Sequence, residues 1–281
     1  MVLQLSRANH EVTVYNRTRS KLQPLEKAGI AIADSPTEAI QNAECIILML
    51  SDAVAIEQVL LSDESIPHLA NRTVIQMGTI SPTESKSICN AVVEAGGKYL
   101  EAPVLGSIPQ VKTGELIVMV GSTKAQFDRF SELLGCYSPK PMYVGEVGTA
   151  SAMKLALNQL IAGLTSTFAL SLSFVQHQGV DIEQFMDVVR QSALYAPTFD
   201  KKLSRMCDRN FDNPNFPTKH LLKDTNLFLD RASELGLNTS SLEGIKQIIE
   251  SAIALGLAEG DYSAIYNAIA PADRQVGNTN S

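Results

Sequence analysis

In the first half of this chain, short β-branched runs alternate with segments that open like helices, and no other feature restricts the fold as strongly. Val12–Tyr15, Cys45–Leu50, Thr73–Met77, Tyr99–Val104, Leu116–Val120 and Met142–Val144 each read as a buried strand. Between them, Ser35-Pro36-Thr37-Glu38 and Ser81-Pro82-Thr83-Glu84 both match S-x-x-E with proline at the first helical position. The serine can accept from an otherwise unpaired amide, the glutamate can reach back, and proline gives up no hydrogen bond there. Strands alternating with capped helices imply βαβ units and a mostly parallel sheet.

From about Thr149 the pattern changes. No strand is predicted beyond that point, only helical periodicity broken at Gly179, Asn210–Pro217, Gly236 and Gly260. Ser151–Gln178 is predicted as one long helix joining two domains, which suits a chain of 281 residues. The boundary is placed near Gly148, giving an α/β domain over 1–148 and an all-helical domain over 149–281. The polar tail Arg274–Ser281 is expected to fray.

Composition narrows the function classes. With 45% apolar and 19% charged residues the chain is globular, and a net charge of −7 without a basic, aromatic-bearing patch argues against nucleic acid as a partner. Cys45, Cys89, Cys136 and Cys207 lie far apart with no CxxC pair, and His10, His68, His177 and His220 are equally scattered. Neither set makes a local metal cluster, so no metal is expected and a reducing, cytoplasmic setting is the simplest reading. Met1–His10 lacks the basic start and apolar run of a signal peptide. Leu155–Val175 is apolar but interrupted by Asn158, Gln159 and Gly163, which fits a buried helix of a soluble protein better than a membrane span.

Val12-Thr13-Val14-Tyr15 followed by Asn16-Arg17-Thr18-Arg19 is the first stretch with chemical content. In a dinucleotide-binding fold, the residues after the second strand meet the adenosine ribose; an acid there selects NAD, and arginine accommodates the 2′-phosphate of NADP. Here no acid follows the strand, and Asn16, Arg17 and Thr18 supply donors suited to NADP(H). A basic, solvated turn is the competing reading. The expected GxGxxG turn is not found, since only Gly29 precedes Gly78. Met1–Asn9 reads as the back half of a helix, so the α/β domain is expected to lack its first strand and phosphate loop. Leu50 and Ser51, in Met49-Leu50-Ser51-Asp52, and Thr79, in Gln76-Met77-Gly78-Thr79, end two later strands where a nicotinamide would lie. A strand-end threonine also commonly serves as a helix cap.

Three further motifs resemble those of the β-hydroxyacid dehydrogenase family, which includes 3-hydroxyisobutyrate dehydrogenase and the glyoxylate/succinic semialdehyde reductases. They are Glu101-Ala102-Pro103-Val104-Leu105-Gly106-Ser107; Gly145 and Gly148 with Lys154 and Asn158, similar to G-x-x-G-x-x-x-x-x-K-x-x-x-N; and Phe216-Pro217-Thr218-Lys219-His220-Leu221-Leu222-Lys223-Asp224. The resemblance implies a Rossmann-type domain followed by an all-α domain, a homodimer or homotetramer, and a substrate that is a small carbonyl acid. It further implies that the amides of Gly106 and Ser107 bind the acid's carboxylate, that Phe216 closes over substrate, that Lys223 touches the cofactor, and that Asp224 holds the polar network. Leu105 stands where the family usually has serine, which removes one side-chain donor.

The residues themselves support a reductive chemistry. Lys154 and Asn158 stand at i and i+4, so a helix puts them on one face. Reducing a carbonyl needs hydride on carbon and a proton on the developing alkoxide, and a lysine ammonium can stabilise that charge and then donate. Ala152, Leu155, Ala156 and Leu157 suggest a buried helix, where an unused lysine would be costly. Outside a motif, such a lysine more often snorkels to water. His220 could do acid–base work, although a lone helical histidine is more often structural. The leading expectation is NADPH-dependent reduction of glyoxylate, succinic semialdehyde or a similar short acid. The alternatives are a cofactor-free binding or dimerisation module or an inactive truncated homologue, and an imine reductase, against which the retained Lys154 argues. A serine hydrolase is poorly supported because no GxSxG is present.

Overall fold

A computed structural model of the chain describes residues 1–271, so the expectation for Arg274–Ser281 falls outside the described residues. The chain divides into two compact units, Met1–Lys154 and Leu155–Ser281, the division falling inside a long helix and not at its start.

The first unit opens with helix α1 (Val2–Arg7) and strand β1 (Thr13–Val14). Then follow α2 (Gln23–Lys27), β2 (Ala31–Ile32), α3 (Pro36–Gln41), β3 (Cys45–Leu48) and α4 (Ala53–Leu60). Next come β4 (Thr73–Gln76), α5 (Pro82–Glu94), β5 (Lys98–Glu101), β6 (Val104–Leu105) and α6 (Ile108–Thr113). The unit continues through β7 (Ile117–Gly121), α7 (Lys124–Gly135) and β8 (Met142–Gly145) into the start of α8 (Thr149–His177). β1 and β2 form a parallel pair of their own, while the larger sheet runs β3-β4-β5-β7-β6 with β8 beside β7. β3, β4 and β5 are mutually parallel; β7 runs antiparallel to β5 and β6 and parallel to β8.

Successive side chains of a strand point to opposite faces, so a sheet covered on both sides buries every residue of its central strands. β4 does so along its whole length. Val74 packs with Ile56, Leu60, Ile88 and Val92, whereas Ile75 packs with Leu100, Val118, Val120 and Leu134. All six predicted strands form, but β1 and β8, expected to be buried, are exposed or half-buried along their length, and two short strands were not foreseen. Ala31–Ile32 is too brief for alternation to register. Val104 was expected to finish the β5 strand, but Pro103 has no N–H to give a ladder, and Val104–Leu105 turns to pair with β7 instead.

The predicted caps form in two versions. Ser81 accepts from Glu84 N at 3.2 Å while Glu84 Oε2 accepts from Ser81 N at 2.7 Å, a complete reciprocal cap. Ser35 accepts from Glu38 N at 3.0 Å, but the Glu38 carboxylate takes the amide of Asp34, one residue earlier than the box pattern requires.

The second unit is helical, with most of α8 followed by α9 (Ile182–Gln191), α10 (Pro197–Cys207), α11 (Thr218–Glu234), α12 (Ser240–Ala254) and α13 (Ile265–Ile269). Its strand-like contact among the described residues is the isolated bridge Pro217↔Asp261. Phe168, Leu172, Met186, Phe199 and Met206 make one core, and Leu221, Leu229, Leu242, Ile249 and Ile265 another.

The sequence suggests that α8 is a buried helix, and the structure corrects this: only one face is packed. By length and composition α8 could cross a membrane, and 44% of its most apolar window is buried within the protein. Ala150, Leu155, Ala162, Phe168, Ala169 and Leu172 are buried together with the polar Ser151, Asn158, Thr165, Ser166 and Ser173. Ala152 and Ala156, expected inside, are exposed, as are Leu160, Leu164, Leu170 and Phe174.

Candidate functional site

In the first unit the turn after β1 presents Asn16, Arg17 and Thr18 to solvent. Asn16 Oδ1 accepts from Thr18 N at 2.9 Å, which closes a local side-chain turn and shapes the loop before any ligand arrives. Arg19 donates to Asp34 at 2.8 Å and lies 3.6 Å from Glu26, so this guanidinium is already occupied by carboxylates. At the end of β3, the half-buried Leu50 is followed by Ser51, whose hydroxyl donates to Asp52 at 2.8 Å, while Asp52 caps α4 through Ala55 N at 2.8 Å. At the end of β4, the Gln76 amide bridges Gly78 N at 2.7 Å and Gly78 O at 3.0 Å, and Thr79 follows half-buried.

The loop after β5 begins at Glu101. Leu105 lies in β6 opposite Ile117 and is half-buried, and Gly106 is exposed. Ser107 opens α6, and both its N–H and its hydroxyl donate to Gln110 Oε1 at 3.0 Å. An anion received here would therefore compete with Gln110 for Ser107, and the hydroxyl is a less ready substitute for the donor missing at Leu105.

Glu101 itself is 1% exposed, and its carboxylate gathers several donors from the opening of α8. Gly148 N and Ala150 N donate at 2.8 Å, Ser151 N at 3.1 Å and Ser151 Oγ at 2.6 Å. Ser85 Oγ adds a contact at 2.5 Å and also meets Tyr99 Oη at 2.9 Å. Gly148 has φ of +100°, a conformation that residues with a Cβ rarely adopt, so glycine suits the turn that aims this amide at the carboxylate. Sequence reasoning took Glu101 as part of the loop motif and missed this role, along with Ser85 and Ser151. A single acid inside a run of buried strand residues was the available signal.

Lys154, 9% exposed, and Asn158, 3% exposed, lie one turn apart on the buried face of α8. In the second unit, Asn158 Nδ2 donates to Asp224 Oδ2 at 2.5 Å, and Lys223 Nζ stands 2.9 Å from Asp224 Oδ1. Asn158, Lys223 and Asp224 are thus one connected polar group. Phe216 stacks on His220 with centroids 6.4 Å apart and meets Tyr262 edge-on at 5.8 Å. Burial, followed by the charges of Lys223 and Lys219, holds the His220 imidazole below its ordinary value of 6.5, which keeps it neutral near pH 7. Burial pushes the Cys45 thiol up to about 12, far from a reactive thiolate.

These groups suit a nicotinamide dinucleotide at the ends the structure presents. The exposed donors at 16–18 match an adenosine ribose or its phosphate, and the strand ends at 50–51 and 78–79 supply backbone and hydroxyl groups. No GxGxxG sequence occurs in the chain, so a pyrophosphate would need other donors.

Residues 1–145 match the model of the NAD-binding domain of 6-phosphogluconate dehydrogenase, and residues 148–269 match that of the NAD-binding domain of NADP-dependent 3-hydroxyisobutyrate dehydrogenase. The chain belongs to the β-hydroxyacid dehydrogenase family. It is an NAD(P)-dependent oxidoreductase. Among its relatives, glyoxylate/succinic semialdehyde reductase 1 of Arabidopsis thaliana is 28% identical, the match covering 96% of this chain and 93% of the relative. The uncharacterized oxidoreductase YfjR of Bacillus subtilis is 30% identical over 93% and 92%. The dehydrogenase also resembles the crystal structure of 3-hydroxyisobutyrate dehydrogenase from Salmonella typhimurium, with a TM-score of 0.84 at 22% identity, covering 95% and 94% of the two chains. That likeness concerns the fold: an α/β Rossmann-type sheet domain followed by a helical one.

Proposed function

We propose that this dehydrogenase reduces small aldehyde or keto acids such as glyoxylate or succinic semialdehyde with NADPH, using Lys154 as the proton donor. The observation that carries the proposal is the placement of Lys154 and Asn158 on the buried face of α8, with Asn158 tied to Asp224. A lysine ammonium held on that face can stabilise the negative charge of a developing alkoxide. When bound, the nicotinamide supplies the hydride. Lys154 stabilises the charge that grows on the carbonyl oxygen and then donates its proton there. Asn158, fixed by Asp224, orients the reacting oxygen or the amine, and Lys223 reaches the cofactor. Phe216 covers the substrate, and the backbone at Gly106 and Ser107 receives its carboxylate. Leu105 favours a substrate with a less polar flank beside that carboxylate.

NADPH is favoured over NADH by Asn16, Arg17 and Thr18 in place of an acid. The NADP-dependent enzyme whose domain model matches supports the same choice. A homodimer or homotetramer is supported by the exposed apolar residues Leu160, Leu164, Leu170 and Phe174 on α8. Four free cysteines suit a cytoplasmic setting.

The test is Lys154→Ala, assayed with NADPH and either aldehyde acid, with NADPH affinity measured by fluorescence titration. Loss of one general acid lowers turnover by about 10²- to 10⁴-fold, and NADPH affinity stays unchanged. Turnover close to wild type would remove Lys154 from the mechanism.

A further inference from the structure

The first turn of α8 has amides with no intrahelical acceptor, and the helix dipole puts partial positive charge there. An ordinary cap comes from the residue just before the helix. Here the acceptor is the side chain of Glu101, which comes from the end of β5, 47 positions before Gly148. One carboxylate oxygen takes three amides, from Gly148, Ala150 and Ser151, and the other takes the Ser151 and Ser85 hydroxyls. Lys154 is one turn beyond Ser151, so whatever fixes that first turn also fixes the axial position of the lysine.

The backbone just after Glu101 is equally constrained. Ala102 N donates to Gln76 O at 2.7 Å, and Pro103 O accepts from Met119 N at 3.0 Å. The loop from Ala102 to Ser107 therefore starts at the residue whose side chain holds the start of α8. The opposite strand makes room for the arrangement. Gly121 is the cross-strand partner of Glu101, and a Cβ on it would collide with the Glu101 carboxylate.

We propose that Glu101 is a positioning residue for the reduction: it sets the place of Lys154 relative to the 105–107 loop by gripping the first turn of α8. The proposal rests on Lys154 being the proton donor. A residue that only stabilised the fold would lower the melting temperature and leave the turnover of folded protein alone. A residue that places the lysine lowers kcat with little change in KM, because misplacing a reacting group by about 1 Å costs on the order of 10²-fold in rate.

The experiment compares full-length wild type, Glu101→Gln, Gly121→Ala, Ser151→Ala and Lys154→Ala. For each it measures kcat and KM with NADPH and succinic semialdehyde, the circular dichroism melt, amide hydrogen exchange over residues 148–154, and the rate at which a water-soluble acylating reagent labels Lys154. Glu101→Gln loses the charge but keeps the shape, whereas Gly121→Ala keeps the charge and displaces the carboxylate. Both are expected to lower kcat by roughly 10- to 100-fold, at nearly unchanged KM, and to speed exchange and alter labelling. Ser151→Ala, which removes one bond, gives a smaller drop. Full kcat in folded Glu101→Gln, set against lost turnover in Lys154→Ala, overturns the positioning role and leaves the lysine reading standing. Near-normal turnover in Lys154→Ala overturns both. Unchanged exchange together with unchanged Lys154 labelling in Glu101→Gln overturns the proposal whatever the turnover.

Discussion

Arg17 and Arg19 stand two residues apart in one turn and meet different surroundings. Arg19 is engaged by Asp34 and Glu26, while Arg17 is exposed beside the self-bonded Asn16 and Thr18. On the proposed reading Arg17 carries the selectivity for the 2′-phosphate, and a hydrogen bond to such a charge contributes about 1.5–3 kcal/mol. Arg17→Ala should therefore weaken NADPH binding by roughly 10- to 100-fold while leaving NADH binding nearly unchanged, as read by fluorescence titration. Arg19→Ala should alter the NADPH-to-NADH ratio far less; an equal effect of the two substitutions would reject the assignment. The sequence displays both arginines as equals. What separates them is Asp34, fifteen positions along the chain, and proximity of that kind is created by folding. The same is true of Asn158 and Asp224, 66 positions apart, although the i, i+4 relation of Lys154 and Asn158 was legible because helical periodicity alone decides it.

At the scale of elements, the start of α11 matters because that helix and the residues before it carry Phe216, His220, Lys223 and Asp224. Pro217 forms a bridge with Asp261, and Thr218 N donates to Gly260 O at 2.9 Å. Asp261 is fully buried, and Lys202 Nζ, over the Tyr262 ring, reaches both of its oxygens at 2.8 Å. Breaking a buried pair leaves an uncompensated charge, which costs about 3–5 kcal/mol, whereas replacing both partners with apolar groups can be close to neutral. Asp261→Ala should lower stability by about that amount in chemical denaturation, and Lys202→Met combined with Asp261→Leu should recover most of it. If the double variant is no more stable than the single one, the charge left behind is not the cause. Elements were the most legible level of this chain. Alternation and S-P-x-E caps located six strands and two helix openings, because those signals are local. β6 was misread as the end of β5 since a run of apolar residues does not show where its pairing partner changes, even with Pro103 marking the break.

For the whole molecule, the α/β-then-helical architecture followed from the loss of strand signals after Thr149, and family membership followed from motifs spread along the chain. What the sequence did not disclose was which face of α8 is covered. Ser151, Thr165, Ser166 and Ser173 turn inward beside Leu155, Phe168 and Leu172, while Leu160, Leu164, Leu170 and Phe174 turn outward, so the outer face is apolar where an ordinary surface helix is polar. On the proposed reading a second copy covers those apolar residues. Sedimentation should give a dimer or tetramer for the wild type and a shift to monomer for Leu170→Glu with Phe174→Glu; a wild type that sediments as a monomer at all concentrations would dismiss the assembly.

The separate pairing of β1 with β2 has a thermodynamic consequence. Two strands of two residues each make few ladder bonds, and resistance to local opening scales with such bonds and the apolar contacts around them. The turn at 16–18 hangs from this pair, so on the proposed reading the adenosine end sits on a part of the unit held by few ladder bonds. A dinucleotide gripping that turn would raise the local opening free energy there by mass action, and part of its intrinsic affinity would be used in holding the pair closed.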